Sequence, residues 1–386
     1  MIEVAFVYNV YPHYRAGIVS AIAAQEELSP IFVAADVTTW NSVKTTAIWR
    51  GFDHSIIRLK RIGPFEVQLG LITFVIRRWK SMSTIVFLGN PYYLSVWIAA
   101  IMCRLGGKRV LFWTHGWIKT STSLKERIRD IFLRIPHGLL LYGNEARKIG
   151  IDRGFNPSKL YVIWNSLDYD KQRALRIQLQ LTSRSALRLR KFNTAKHVLI
   201  CTGRLTTQCK FEQLLEAEVI LRTKGVLCKV VLVGNGPSFS KLAQLAAQLD
   251  TDINFVGETY DESALAELLY ASDITVCPGK MGLTAMHSLA YGTPVISHSS
   301  LEYQMPEVEA IIPGKTGNLF ARNDATDLAA KIEEMLVLLE TDNQRIHANC
   351  ISMIEKRYNP TNQARIISLA VAGKNAEDCA AEAFGL

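Results

Sequence analysis

Three short segments of the chain combine glycine with cations or with a helix start, the residue types that hold phosphate. The first is Gly203-Arg204-Leu205-Thr206-Thr207-Gln208-Cys209-Lys210-Phe211, which follows an apolar run. A glycine there permits close backbone approach, and Arg204 and Lys210, six positions apart, can converge on one phosphate group. The second is Gly234-Asn235-Gly236-Pro237, again after an apolar run; a plain tight turn explains it equally well. The third, Pro278-Gly279-Lys280-Met281-Gly282-Leu283-Thr284, sets glycines immediately before a helical pattern. Bare backbone N–H groups at a positive helix end suit pyrophosphate.

These segments act together only if the chain brings strand ends together. In the first half, Glu3–Val7, Ile31–Ala34, Ser83–Leu88, Val110–Thr114, Gly138–Leu141 and Leu160–Ile163 are short continuous apolar runs separated by helical spacing. Runs of that kind suit parallel strands buried on both faces. The alternation restarts at His197–Thr202, Lys229–Val233, Asn254–Val256, Asp273–Cys277 and Pro294–Ser297, with helices between and a long one over Asp324–Glu340. The fold expected is α/β: two Rossmann-like doubly wound domains facing each other across a cleft. The boundaries expected are 1–170 for the first domain, 171–195 for a basic linker and 196–361 for the second. A C-terminal helix over 362–386 packs back on the first. Eight basic residues lie between Asp170 and Lys196, read as a solvated helix and linker or as a patch near an anionic partner.

Composition narrows the class. A length of 386 residues suits two to three domains at about 150 residues each. Apolar residues at 49% exclude a disordered chain. A formal charge of +9 beside a mean hydropathy of +0.11 asks for both a large core and an anionic partner. Seven cysteines without a C-x-x-C pair read as reduced thiols, with neither a disulfide framework nor a metal site expected. The N-terminus has no signal-peptide pattern. The longest apolar candidate for a membrane span, Tyr92–Cys103, is twelve residues where about 20 are needed. The localisation expected is cytoplasmic.

In order and spacing, the second half resembles the donor-nucleotide domain of glycosyltransferase family 4, of GT-B architecture. The resemblance is carried by Gly203-Arg204-Leu205 with Lys210, Leu232-Val233-Gly234-Asn235-Gly236-Pro237, and Phe255-Val256-Gly257. Further on it is carried by Leu289-Ala290-Tyr291-Gly292-Thr293-Pro294-Val295-Ile296, Pro306-Glu307 and Gly314-Lys315-Thr316-Gly317. It implies sugar transfer from a nucleotide-sugar to an acceptor hydroxyl, usually with retention and without an essential metal or other cofactor. It also implies that Arg204 and Lys210 hold the donor diphosphate, that the backbone amides of Gly282, Leu283 and Thr284 support them, and that His115 faces the reacting sugar. Without the resemblance, His115 reads as an ordinary strand-end histidine. Gly203, Gly234, Gly257 and Gly279 line the same donor loops.

The chain departs from the family at the two glutamates eight positions apart around this loop, where it has Gly279 and His287. His287 can still accept one hydrogen bond from a ribose and donate another. Gly279 removes a sugar contact unless Lys280 or Glu302 reaches in, and its loss favours a deoxy or modified donor sugar. Glu307 either lies near the nucleotide or caps the next segment. On the acceptor side, the loop from Tyr8 to Gly17 offers His13, Arg15 and Gly17. Residues 58–80 mix basic, aromatic and aliphatic types, as in a stretch lying in a membrane interface or in an ordinary surface helix. Nucleic acid is not expected, because no compact binding motif is present.

The activity expected is that of a glycosyltransferase moving a sugar from a nucleotide-sugar to a glycan or polyprenyl-linked acceptor in surface polysaccharide synthesis, with peripheral membrane contact. The alternatives are an epimerase or phosphorylase-like enzyme on the same fold, or a degenerate nucleotide-binding scaffold.

Overall fold

The computed structural model describes residues 1–37, 39–40, 43–194 and 196–384. Residues 195, 385 and 386, which close the expected linker and tail, lie outside the described residues. The chain forms two units, one of residues 1–168 with the segment from Arg357 onward, the other Tyr169–Lys356.

The first unit carries β1 (Ile2–Val7), β2 (Leu28–Ala35), β3 (Thr39–Trp40), β4 (Val43–Lys44), β5 (His54–Ile62), β6 (Phe65–Leu69), β7 (Thr84–Leu88), β8 (Arg109–Thr114), β9 (Gly138–Leu141) and β10 (Leu160–Val162). Its helices are α1 (Ala16–Ala23), α2 (Leu71–Arg77), α3 (Leu94–Leu105), α4 (Leu124–Leu133) and α5 (Asn144–Asp152). Eight strands form one sheet in the order β10-β9-β8-β7-β1-β2-β5-β6. All neighbours are parallel except the β5–β6 hairpin. Val4 to Val7, Ile85 to Phe87 and Val110 to Phe112 are all but inaccessible, as strands covered on both faces must be. Strand order reverses between β1 and β7, so the loops after them part and leave a crevice at their carboxyl ends.

Residues 58–80 do not form one amphipathic stretch. They are the arm of β5, the edge strand β6 and the short helix α2, whose Leu71, Phe74 and Val75 are buried in the core. These three residues of α2 therefore cover the sheet, while Ile76 is exposed. The hairpin keeps Ile62 and Phe65 exposed beside Arg58, Lys60 and Arg61.

The second unit carries α6 (Tyr169–Leu179), α7 (Arg184–Phe192), β11 (His197–Thr202), α8 (Glu212–Thr223), β12 (Cys228–Val233), α9 (Phe239–Gln248), β13 (Ile253–Gly257), α10 (Glu262–Ala271), β14 (Ile274–Cys277), α11 (Thr284–Ala290), β15 (Val295–His298), β16 (Gly317–Phe320) and α12 (Ala325–Lys356). The sheet is parallel, in the order β13-β12-β11-β14-β15-β16. Counted within the unit this is 3-2-1-4-5-6, the order of dinucleotide-binding folds, with its switch point between β11 and β14. The helix α12 runs past Glu340 and bends at Asp342, which leaves helical geometry at φ −151° and ψ 50°.

The segment expected as a linker is instead two helices of the second unit. Three of its arginines are used internally. Arg184 donates to the carbonyls of Tyr270 (2.8 Å) and Tyr291 (2.6 Å), at the ends of α10 and α11. Arg176 donates to Ala290 O at 2.8 Å and Arg188 to Ala271 O at 3.2 Å, with an ion pair from Arg188 to Asp273. The last carbonyls of a helix have no partner within it and carry its negative end, so guanidinium groups satisfy both needs. Arg176, Arg184 and Arg188 are thus caps, while Lys171, Arg173 and Arg190 lie on the exposed side of the two helices.

The returning tail forms α13 (Pro360–Val371) and α14 (Ala376–Phe384). It joins the first unit: Arg109 donates to Ala370 O (3.0 Å), Tyr161 to Lys374 O (2.8 Å), and Arg147 pairs with Glu377 (2.8 Å).

Candidate functional site

In the second unit the three glycine segments follow β11, β12 and β14 and meet backbone to backbone. Gly234 has φ 144°, and a Cβ built there would lie 1.9 Å from Gly203 O. At Gly236 a Cβ would lie 2.4 Å from Leu205 O, and at Gly279 it would lie 2.1 Å from Gln208 O. Any side chain at these positions would force the loops apart, so the glycines set the loop spacing. Lys280 N–H donates to Gln208 O at 3.0 Å and closes the same seam.

Arg204 is exposed at the switch point, and its guanidinium makes no hydrogen bond or ion pair among the described residues. Lys210 sits at φ 50° after a short 3-10 turn and donates to Asn323 Oδ1. Across the switch point, Thr284 donates to Thr202 O at 2.8 Å, which ties the start of α11 to the end of β11. No side chain caps that helix start, and a Cβ on Gly282 would meet nothing. Arg204, Lys210, Gly282, Leu283 and Thr284 therefore follow β11 and β14 at one end of the sheet, on either side of the switch point.

His287 has a partner the sequence did not indicate. Its Nδ1 lies 3.4 Å from Glu262 Oε1 and 3.2 Å from Gln172 Nε2. Glu262 also accepts from Tyr291 OH at 2.7 Å. Burial would raise the Glu262 pKa, but its bonds with His287, Tyr291 and Gln172 hold it down to about 2. Only Nε2 of His287 is left for a ligand. Glu307 is buried in the short turn Pro306–Ala310, and Gly257 closes the strand β13, accepting from Gly234 N–H at 2.7 Å.

Residues that sequence reasoning missed lie at the end of β15 and just after the short turn Leu301–Tyr303 that follows it. Gln304 is buried and donates to Ser297 Oγ (2.7 Å) while accepting from Met281 N–H (3.0 Å), so it fixes the third loop. His298, the last residue of β15, is held neutral: burial, with Arg322 and Lys210 nearby, lowers its pKa to about 4. For His298 the only signal available was position at the carboxyl end of a strand.

The first unit has its own pocket, of about 310 Å³, at the carboxyl ends of its strands. Tyr8, Tyr14, Tyr93, Tyr142, His115 and Arg15 are among its lining residues. His115 is exposed, with its ring 4.6 Å from that of Tyr142. Arg15 is buried beneath, donating from Nη2 to Tyr142 OH. The other two residues expected here, His13 and Gly17, are not among the lining residues. His13 is exposed, with Nδ1 3.1 Å from Lys44 O. Gly17 serves packing: a Cβ there would come to 3.0 Å from the backbone of Leu167 and Asp168. Among the described residues no group of three His, Cys, Asp or Glu side chains is placed to hold a metal ion, and no helix is long and apolar enough to cross a membrane.

Over 107 residues the chain is 36% identical to the GDP-mannose-dependent alpha-(1-6)-phosphatidylinositol dimannoside mannosyltransferase of Mycobacterium tuberculosis. That match spans 27% of this chain and 28% of the relative. Among solved structures, Anabaena HepE in complex with UDP superposes with a TM-score of 0.71 at 14% identity, over 96% of this chain and 99% of that one. The lipopolysaccharide outer core galactosyltransferase WaaB gives 0.68 at 13% identity over the same shares. These likenesses establish the fold as two Rossmann-like α/β domains of the GT-B kind. Residues 187–349 match the family model described as glycosyl transferases group 1, a range that takes in the Arg204–Lys210 loop, the Gly279–Thr284 loop, His287 and Glu307.

Proposed function

We propose that the protein is a glycosyltransferase that uses a nucleotide-sugar. The observation that carries this reading is the convergence of Arg204, Lys210 and the uncapped start of α11 on the switch point of a 3-2-1-4-5-6 sheet, inside the matched range. Charge that builds on a leaving diphosphate is what such preorganised groups stabilise. Arg204 and Lys210 are assigned to the diphosphate, the amides of Gly282, Leu283 and Thr284 to the same group, and Nε2 of His287 to the ribose. His115 is assigned to the reacting sugar and Arg15 to the acceptor side. With no side chain at Gly279, a deoxy-sugar donor is preferred over its hydroxylated counterpart, and transfer proceeds with retention.

The acceptor is read as a glycan or polyprenyl-linked glycan at the cytoplasmic face of a membrane. The basic hairpin, with Ile62 52% and Phe65 38% exposed, supports peripheral contact with anionic lipid. A screen of nucleotide-sugars against a lipid-pyrophosphate-linked acceptor tests the activity, and the anomeric configuration of the product tests retention. Absence of any thermal shift with every nucleoside diphosphate overturns the reading. Co-sedimentation with anionic but not neutral vesicles tests the hairpin.

A further inference from the structure

Arg15 is the most heavily buried cation on the first unit's pocket wall, and its surroundings lack a counter-ion. The residue is 8% exposed, and no Asp or Glu pairs with it among the described residues. Its guanidinium carbon lies 4.8 Å from the ring of Trp113, 5.3 Å from Tyr8 and 5.5 Å from Tyr142. Nη2 donates to Tyr142 OH, while Nη1 is buried with no hydrogen-bond partner. Ring faces offset part of a buried positive charge. They supply no hydrogen-bond acceptor to complete the guanidinium fork, and arginine cannot shed its proton to escape the cost. Burial also keeps the Tyr8 hydroxyl well above its ordinary pKa, so it stays neutral.

A charge held in this way beside an open pocket is prepared for an anion that arrives with a ligand. We propose that the pocket is an oxyanion site, in which Arg15 binds a carboxylate or phosphate group carried by the acceptor. A planar fork matches both oxyanions in a bidentate manner. The tyrosine hydroxyls around it are donors for the neutral remainder of the molecule, and exposed His115 stands at the rim. Assigning the anion to the acceptor rests on the glycosyltransferase reading above; the oxyanion site does not.

The test is a calorimetric titration at constant ionic strength with inorganic phosphate, D-glucuronate and uncharged methyl glucoside. It is run in an Arg204→Ala/Lys210→Ala background, so that the phosphate loop of the second unit is silent. Phosphate or glucuronate binds at least tenfold more tightly than methyl glucoside, and Arg15→Met, with an unchanged circular dichroism spectrum, loses at least tenfold of that affinity. Should Arg15→Met not fold, His115→Glu reads the same point from the exposed rim, and its carboxylate weakens the anion at least tenfold. Equal binding of charged and uncharged probes, or unchanged anion affinity in either variant, overturns the site. UDP titrated against the otherwise unaltered chain separates the two sources of phosphate. Its affinity is unchanged by Arg15→Met if the anion belongs to the acceptor, and a parallel loss overturns that assignment. If UDP binds nowhere while phosphate affinity still depends on Arg15, the glycosyltransferase reading fails and the oxyanion site stands.

Discussion

Gly279 and Gln208 lie backbone against backbone: a Cβ on Gly279 would approach the Gln208 carbonyl oxygen to 2.1 Å and the Cys209 carbonyl carbon to 2.6 Å. The family resemblance puts a glutamate at this position. Here the turn Thr207–Cys209 fills the space a side chain would need, so the glycine is a packing requirement. The loops after β11 and β14 are thereby held at one fixed spacing on either side of the switch point.

That relationship predicts the outcome of Gly279→Ala. A backbone oxygen cannot yield as a flexible side chain does, so the loops must separate. Overpacking of this kind costs about 2 kcal/mol, or roughly 6 °C in Tm for a unit of this size. Affinity for a nucleoside diphosphate falls with it, because Lys210 and the start of α11 move apart. Calorimetry and nucleotide titration read the two effects; an unchanged Tm means the loops are not locked by this contact.

Arg204→Ala and Lys210→Ala separate chemistry from stability. Arg204 is exposed, so its loss changes stability by less than about 0.5 kcal/mol. Loss of either cation is expected to lower turnover by about 100-fold to 1,000-fold, the range for a preorganised donor aimed at developing charge. Lys210 also loses its bond to Asn323, and so costs slightly more stability. Steady-state rates with a defined donor decide the matter, and intact turnover in both variants removes these residues from the site.

The strands were legible where burial on both faces makes a continuous apolar run, as in Val4–Val7 or Val230–Val233. β16 was not, because Gly317-Asn318-Leu319-Phe320 is short and mixed; it becomes a strand by pairing with Val295–His298. The β5–β6 hairpin was read by its composition rather than its alternation, since its outer residues are basic and aromatic at a sheet edge. Loop positions of Arg204, Lys210 and Gly279 followed from strand ends. The cage around Arg15 did not, because Tyr8, Trp113 and Tyr142 come together only through the register of separate strands. The caps made by Arg176, Arg184 and Arg188 were hidden for the same reason: a basic run in sequence does not say which carbonyls it will meet.

Those caps carry a stability prediction. Arg184→Met keeps the aliphatic stem but leaves the carbonyls of Tyr270 and Tyr291 without their donor. Stranding such groups is expected to cost about 3 kcal/mol, seen as a lower urea midpoint for the second unit. UDP affinity of the molecules that remain folded is unchanged, since no candidate ligand group touches Arg184. A midpoint equal to that of the unaltered chain refutes the capping role.

Acid should loosen the second unit in two separate windows. His298 and His347 are each held neutral, with pKa lowered to about 4 from an ordinary 6.5 chiefly by burial. The unfolded chain takes up protons there that the folded one refuses, so their contribution is full above pH 6.5 and is lost as pH falls toward 4. Glu262 behaves likewise but lower. Its folded pKa of about 2 against an ordinary 4.5 gives up to about 3 kcal/mol, present above pH 4.5 and lost between there and pH 2. Urea unfolding from pH 8 to pH 3 should therefore show stability that is level above pH 6.5 and falls below it. Glu262→Gln flattens the curve only below pH 4.5, whereas His347→Gln flattens it only above pH 4. A Glu262→Gln profile that keeps the full slope below pH 4.5 shows that the bonds from His287, Tyr291 and Gln172 do not hold that carboxylate ionised.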